Sequence, residues 1–247
     1  MRATRLLMGM PITVEVVGAA NAGLVDRVFD YFAGVDRRFS TYRSDSEVSA
    51  INQARLAEAD YSEEMREVLA IAERTRQQTG SFFDVRTADG ALDPSGIVKG
   101  WAIRNAAAIL AGSGARDFFI DAGGDIQSAG RNAAGNEWSV GIRNPFDQTQ
   151  IIKVIYPKGR GVATSGTYVR GQHIYNPHAL GRPIEDIVSL TVIGPDVMEA
   201  DRFATAAFAM GREGIAFIEE MPYLEGYLVD RGGHATLTSG FQEYCAP

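Results

Sequence analysis

Asp201 and Thr205 stand four residues apart in "MEADRFATAAFAMG", so on a helix both side chains leave from one face, one turn apart. A carboxylate and a hydroxyl in that arrangement have two uses. One is local: a capping aspartate followed by a threonine whose hydroxyl bonds back to a carbonyl of the preceding turn. The other is a pair of oxygen ligands for a hard cation such as Mg²⁺. Ala204, Ala207, Phe208 and Gly211 add small and apolar surface, and these residues alone leave both uses open.

Other stretches carry single chemical features. "GIVKG" (96–100) opens a helix expected from about Val98 to Leu110, with Lys99 in its first turn, where the helix dipole disfavours a cation. A carboxylate or phosphate partner, Asp93 among the candidates, relieves that conflict; a surface lysine is the alternative. "AGGD" (122–125) either lets the backbone approach a ligand or makes a tight β-turn. "ATSG" (163–166) lacks the strand–turn–helix setting of a serine nucleophile and can instead present backbone amides to an anion. His173 sits in the Gly- and Pro-rich "GQHIYNPHALGRP", His178 reads as a loop surface residue, and His234 as a structural one. Three such histidines do not make a His-rich zinc site.

The bulk numbers bound the function. Of 247 residues, 45% are hydrophobic and 22% charged, with a net charge of −7. This is globular composition, and the acidic balance excludes a general nucleic-acid binder, which needs a basic face. The one cysteine, Cys245, rules out a disulfide framework and a multi-cysteine metal site. The start, "MRATRLLMGMPITVEVVG", breaks its apolar run at Gly9 and Pro11, so it reads as an entering β-strand rather than a signal peptide, with no membrane insertion and a cytoplasmic location expected.

The elements that must position these groups follow from periodicity and punctuation. "PITVEVVG" reads as a strand, and Leu24, Val25, Val28, Phe29, Phe32 and Val35 recur at helical spacing from Asn21 to about Phe39. A short helix begins near Ser46, and Ser62 caps a longer one that ends at Gly80. "RDFFIDAGGDIQSAG" reads as a strand ending in a Gly-Gly turn; "EWSVGIRNP", "QIIKVIYP", "GVATSG" and "IVSLTVIG" as strands; and "GYLVDRGGHATLTSG" as a hairpin around Gly232–Gly233. No repeat, low-complexity tract or linker interrupts the chain. One α/β or α+β domain over 1–247 is expected, with mixed β-sheets flanked by helices.

The order of the motifs says more than any one of them. "MGMPITVEV", "FSTYRSDSEVSAIN", "TGSFFD", "LDPSGIVKGWA", "DAGGDI", "VATSGTYVRGQHIYNP" and "SLTVIGPDVMEADRFATAAFAMG", in that order from about Met8 to Gly211, resemble the ApbE family, the FAD:protein FMN transferases. The resemblance implies an enzyme that binds FAD with Mg²⁺ and transfers FMN to a Thr or Ser hydroxyl of a target flavoprotein, releasing AMP. Some members hydrolyse FAD to FMN and AMP instead. It assigns the metal to Asp201, Thr205 and the Gly96 carbonyl, and nucleotide contacts to Asp93, Lys99 and Tyr175. Met8, Tyr42 and the run Phe82, Phe83, Asp84 match residues lining the isoalloxazine and adenine pockets, Thr164 and Ser165 fall beside phosphate or flavin, and His173 matches the general acid/base. Close packing of the Asp201 helix against the Gly96 loop is expected to bring carbonyl and side chains together.

The chain also departs from the family pattern. Only "VRTADGAL" separates Asp84 from Asp93, Ser81 replaces a common glycine, and Arg86 stands where a small hydroxyl residue is usual. Asn176 replaces an aspartate, in a loop one residue longer. These changes keep two alternatives in view, an FAD pyrophosphatase and an FAD-binding protein without turnover.

Overall fold

The first two strands, β1 (Arg2–Leu7) and β2 (Met10–Val16), pair antiparallel with Leu7 opposite Met10. Two residues therefore turn the chain, and both have positive φ, Met8 at 53° and Gly9 at 73°. Such a turn matches the right-handed twist of the strands it joins, at the cost of a left-handed conformation for the methionine. In this computed structural model, residues 1–18, 22–87, 89–166, 174–179 and 183–246 are described.

β2 pairs with β3 (Phe118–Ala122), which pairs with β4 (Asp125–Ala129) across a second two-residue turn, Gly123–Gly124. The "FFIDAGGDIQSA" stretch is thus two strands about the Gly-Gly turn rather than one strand ending there. The sheet continues through β7 (Gly161–Gly166), β8 (Ile187–Gly194), β9 (Glu225–Asp230) and β10 (Ala235–Leu237), which among the described residues makes eight strands in the order β1-β2-β3-β4-β7-β8-β9-β10. A separate two-stranded sheet joins β5 (Val140–Asn144) to β6 (Asp147–Ile155). Every pairing between these strands is antiparallel, so the mixed architecture is of the α+β kind.

Among the described residues, six α-helices accompany the sheets: α1 (Ala22–Phe39), α2 (Glu47–Asn52), α3 (Glu63–Gln78), α4 (Ser95–Gly112), α5 (Val197–Ala209) and α6 (Gly214–Glu219). Local chemistry starts two of them as expected. Ser46 accepts from the Ser49 N–H at the head of α2, and Ser62 from the Met65 N–H at the head of α3. α1 buries Val25, Val28, Phe29, Phe32 and Val35 along one stripe.

α4 behaves differently. It buries Ile97, Val98, Trp101, Ala102, Ile103, Ala106 and Leu110 around its circumference, as a helix enclosed by its neighbours does. It begins at Ser95, not near Val98, without a side-chain cap. Gly96 therefore lies in its first turn rather than in a preceding loop, and Lys99 in its second. One core fills the space between α1, α3 and α4 and strands β2 and β3; a second packs α5 and α6 on β8 and β9. A third, with Ile126, Val140, Ile142, Ile155 and Val162, seals the small sheet against the large one.

Candidate functional site

α4 and α5 meet at Gly100. A Cβ built there would lie 2.8 Å from the Met198 Cα, 2.8 Å from the Asp201 Cβ and 2.9 Å from the Val197 carbonyl, closer than packed atoms allow. Only glycine lets the helices approach this far, and the approach has a use: the Gly100 N–H donates to Asp201 Oδ2 at 2.8 Å. Asp201 is not the α5 cap. That role belongs to Asp196, which accepts from the Glu199 N–H, leaving Asp201 in the second turn and 3% exposed.

Lys99 Nζ lies 2.6 Å from Asp125 Oδ2 and 3.4 Å from Asp201 Oδ1. The conflict of a lysine near a helix start is thus relieved by carboxylates, but Asp93 is not one of them: its Oδ1 accepts the Ser95 N–H at 3.0 Å and organises the entry to α4. Asp125, 1% exposed, is fixed through its other oxygen, which accepts the Thr164 N–H at 3.2 Å. The Thr164 and Thr191 hydroxyls meet at 2.9 Å across the β7–β8 register. Four separated motifs, "GIVKG", "AGGD", "ATSG" and "EADRFAT", converge here.

The charge count decides what this centre can do. Among the described residues, two buried carboxylates face one ammonium, an excess of one negative charge in a site of low polarisability. Burial accordingly pushes the Asp201 carboxyl up to about 7; Lys99 pulls it down, and the nearby Asp125 charge raises it further. A proton or a cation can supply the missing charge.

Thr205 lies one turn beyond Asp201. A Cβ on Gly96 would come 3.5 Å from the Thr205 methyl and 2.9 Å from the Phe83 ring, so Gly96, Phe83 and Thr205 form one wall. Among the described residues no group of three or more His, Cys, Asp or Glu side chains is placed to hold a metal. A cation here would draw on one carboxylate with hydroxyl and carbonyl oxygens, a hard-oxygen set of the kind Mg²⁺ accepts when ligand oxygens and water complete its shell.

Met8 is half-buried against the main core, in the positive-φ turn. Phe82 meets the His178 ring edge-on at 4.5 Å, and His178 Nε2 lies 2.9 Å from the Gly80 carbonyl, pinning the segment after His173 to the 80–82 turn. Asp84 accepts the Arg86 N–H at 2.8 Å. Ser165 is buried in β7, next to Thr164. Tyr175 is partly exposed, and Tyr42 is 98% exposed with its N–H on Ser40 Oγ. His173 lies outside the described residues. Asp125 is the participant that residue-by-residue reading passed over: the Gly-Gly pair beside it drew attention to the backbone, and the need of Lys99 for a counter-charge was the signal that could have found it.

The sequence model of the ApbE family matches residues 8–89 and 85–228. The chain belongs to the ApbE family. Two curated relatives carry the name FAD:protein FMN transferase. The one from Vibrio cholerae serotype O1 is 34% identical over 166 residues, 62% of this chain and 49% of that protein. The one from Salmonella typhimurium is 33% identical over 155 residues, 55% of this chain and 44% of that protein. The chain spans about half the length of the curated relatives it matches. Among solved structures, the flavin transferase ApbE of Vibrio cholerae superposes with a TM-score of 0.86 at 25% identity, covering 99% of this chain and 98% of that one. The ApbE protein of Thermotoga maritima, at 21% identity and a TM-score of 0.87 over 100% of this chain and 99% of its own, shares the fold. Among the described residues no helix is long and apolar enough to cross a membrane.

Two of the departures from the ApbE pattern have local explanations. Asn176 Oδ1 accepts the His178 N–H at 2.8 Å, a turn-closing bond that asks only for an acceptor oxygen, which Asn supplies as Asp does. The short 85–92 segment closes on itself as a bridge, with Arg86 opposite Leu92 and the Thr87 N–H on the Ala91 carbonyl. Ser81 sits at φ 66°, the region where glycine carries no steric cost.

Proposed function

We propose that this protein, acting as one domain, transfers FMN from FAD to a Thr or Ser hydroxyl of a target flavoprotein and releases AMP, with Mg²⁺ as cofactor. The observation that carries the reading is the buried Asp125–Lys99–Asp201 centre with its excess negative charge beside Thr205 and Gly96. Asp201, the Thr205 hydroxyl and the Gly96 carbonyl would hold the Mg²⁺, which when bound neutralises pyrophosphate oxygens as a Lewis acid.

This chain's own residues do the rest. Met8, Tyr42, Phe82 and Phe83 offer flat or polarisable surface to the flavin and adenine rings, with Asp84, Asp93 and Tyr175 fixing polar edges. Lys99 and the Thr164–Ser165 stretch face the phosphates. His173 takes the proton of the acceptor hydroxyl. Its oxygen attacks the FMN phosphorus, the bond from that phosphorus to the bridging oxygen breaks, and the bridging oxygen leaves with AMP. The products are a phosphoester-linked FMN and one AMP.

The test is incubation of the full chain with FAD, Mg²⁺ and a target bearing the acceptor residue. A covalent FMN adduct on the target and stoichiometric AMP are expected. AMP and free FMN formed without acceptor would replace the reading by a pyrophosphatase. Intact FAD after long incubation, with FAD bound, would replace it by a non-catalytic flavin binder.

A further inference from the structure

Asp125 holds no assigned role in the reading above, yet it makes the shortest charged contact of the centre. Lys99 reaches it at 2.6 Å and Asp201 at 3.4 Å. Both carboxylates are fixed from behind, Asp125 by the Thr164 N–H and Asp201 by the Gly100 N–H. The flexible group is the lysine, whose ammonium rides on a four-carbon stem and goes where the potential is lowest. No donor meets Asp125 Oδ2 with hydrogen-bond geometry among the described residues, so this buried oxygen relies on the ammonium for its compensation.

We infer that Asp125 is a positioning residue: it draws the Lys99 ammonium to its own side and so leaves Asp201 available to a divalent cation. The inference rests on the proposed metal reading. An ammonium seated on Asp201 would compete with a cation for the same oxygens, and two positive centres on one carboxylate repel at short range. With Asp125 neutral, Asp201 is the carboxylate within 4 Å of Lys99 that remains among the described residues, and the ammonium moves towards it. The Gly-Gly turn before Asp125 then has a purpose in tertiary structure. It starts β4 at the point where this side chain can face α4.

The experiment uses the full chain and Mn²⁺ as the probe, titrated with and without FAD and read from the electron paramagnetic resonance signal of the free ion. Asp125→Asn keeps an acceptor for the Thr164 N–H and removes only the charge; its Mn²⁺ affinity is expected to fall at least tenfold. The double variant Lys99→Met with Asp125→Asn removes the competitor as well, and its affinity is expected to return to within about threefold of the unmodified chain, since the remaining difference is one lost charge at a distance. Circular dichroism and thermal melts establish that both variants are folded. If the unmodified chain binds no Mn²⁺ in either condition, the metal reading itself fails. Mn²⁺ binding that Asp125→Asn leaves unchanged overturns the role of Asp125 alone. Weak binding by both variants assigns Asp125 a merely structural role and overturns the inference too.

Discussion

Replacing Asp201 by Asn should stabilise the fold while removing cation binding. The reason lies in the burial of the carboxyl. It is 3% exposed and pushed from its usual 3.8 up to about 7, mainly by desolvation. In the folded chain the protonated form is therefore favoured, and Asn reproduces that form: its oxygen still accepts the Gly100 N–H, and Lys99 keeps Asp125 at 2.6 Å. Between about pH 4 and pH 7 the folded chain holds a proton that the unfolded chain has released, so stability falls as pH rises through this window. Above about pH 7 the whole penalty is present. At about 1.4 kcal/mol for each tenfold difference in proton affinity, its ceiling is about 4 kcal/mol, and opening of the site to water reduces it. Urea unfolding at pH 8 should show Asp201→Asn more stable than the parent by about 1–4 kcal/mol. The gap should close at pH 4, where the parent carboxyl is protonated. Millimolar Mg²⁺ should stabilise the parent and leave the variant unmoved. A variant less stable than the parent at pH 8, or a gap of equal size at both pH values, would refute the reasoning.

Three further outcomes follow from packing and backbone geometry. Gly100→Ala forces a methyl into backbone atoms of α5 at 2.8–2.9 Å; a loss of about 1–3 kcal/mol is expected in urea unfolding, against the gain an unhindered helical Gly→Ala would give. Ser81→Gly relieves a left-handed φ of 66° and should raise stability by about 0.5–1 kcal/mol, the steric relief exceeding the added chain entropy; a lowered melting temperature would contradict it. His178→Ala removes the contact to the Gly80 carbonyl and the edge contact to Phe82. Amide exchange should quicken in residues 80–84 with a global loss of only about 0.5–1.5 kcal/mol, and unchanged exchange there would show that no latch exists.

The sequence by itself determined the elements whose signals are local. The serines at 46 and 62 cap the helices they precede, "GVATSG" and "IVSLTVIG" are strands over those residues, and the closing hairpin turns at Gly232–Gly233. Capping bonds, turn residues and side-chain period act within one or two turns of chain, so they can be read without knowing the fold. The start of α4 could not be read that way: its N-cap residue, Pro94, has no side chain that can cap it, the Asp93 carboxylate takes the Ser95 N–H from one residue further back, and burial on all sides rather than an amphipathic stripe holds the helix. Nor could the capping of α5 by Asp196 in place of Asp201, where two nearby aspartates offered the same local chemistry.

Only the tertiary structure decided which groups meet. Lys99 had several carboxylates to choose from, and the one within nearest reach along the chain, Asp93, is spent on the Ser95 N–H. Its partners are set by the β3–β4 turn, which starts β4 at Asp125, and by Gly100, which lets α5 carry Asp201 to α4. An ion pair depends on distance in space, and that distance is fixed by strand order and helix contact, which no short stretch of sequence contains. The residues supplied the charges; the packing of α4, α5 and β4 decided that Asp125 and Asp201 would both reach Lys99.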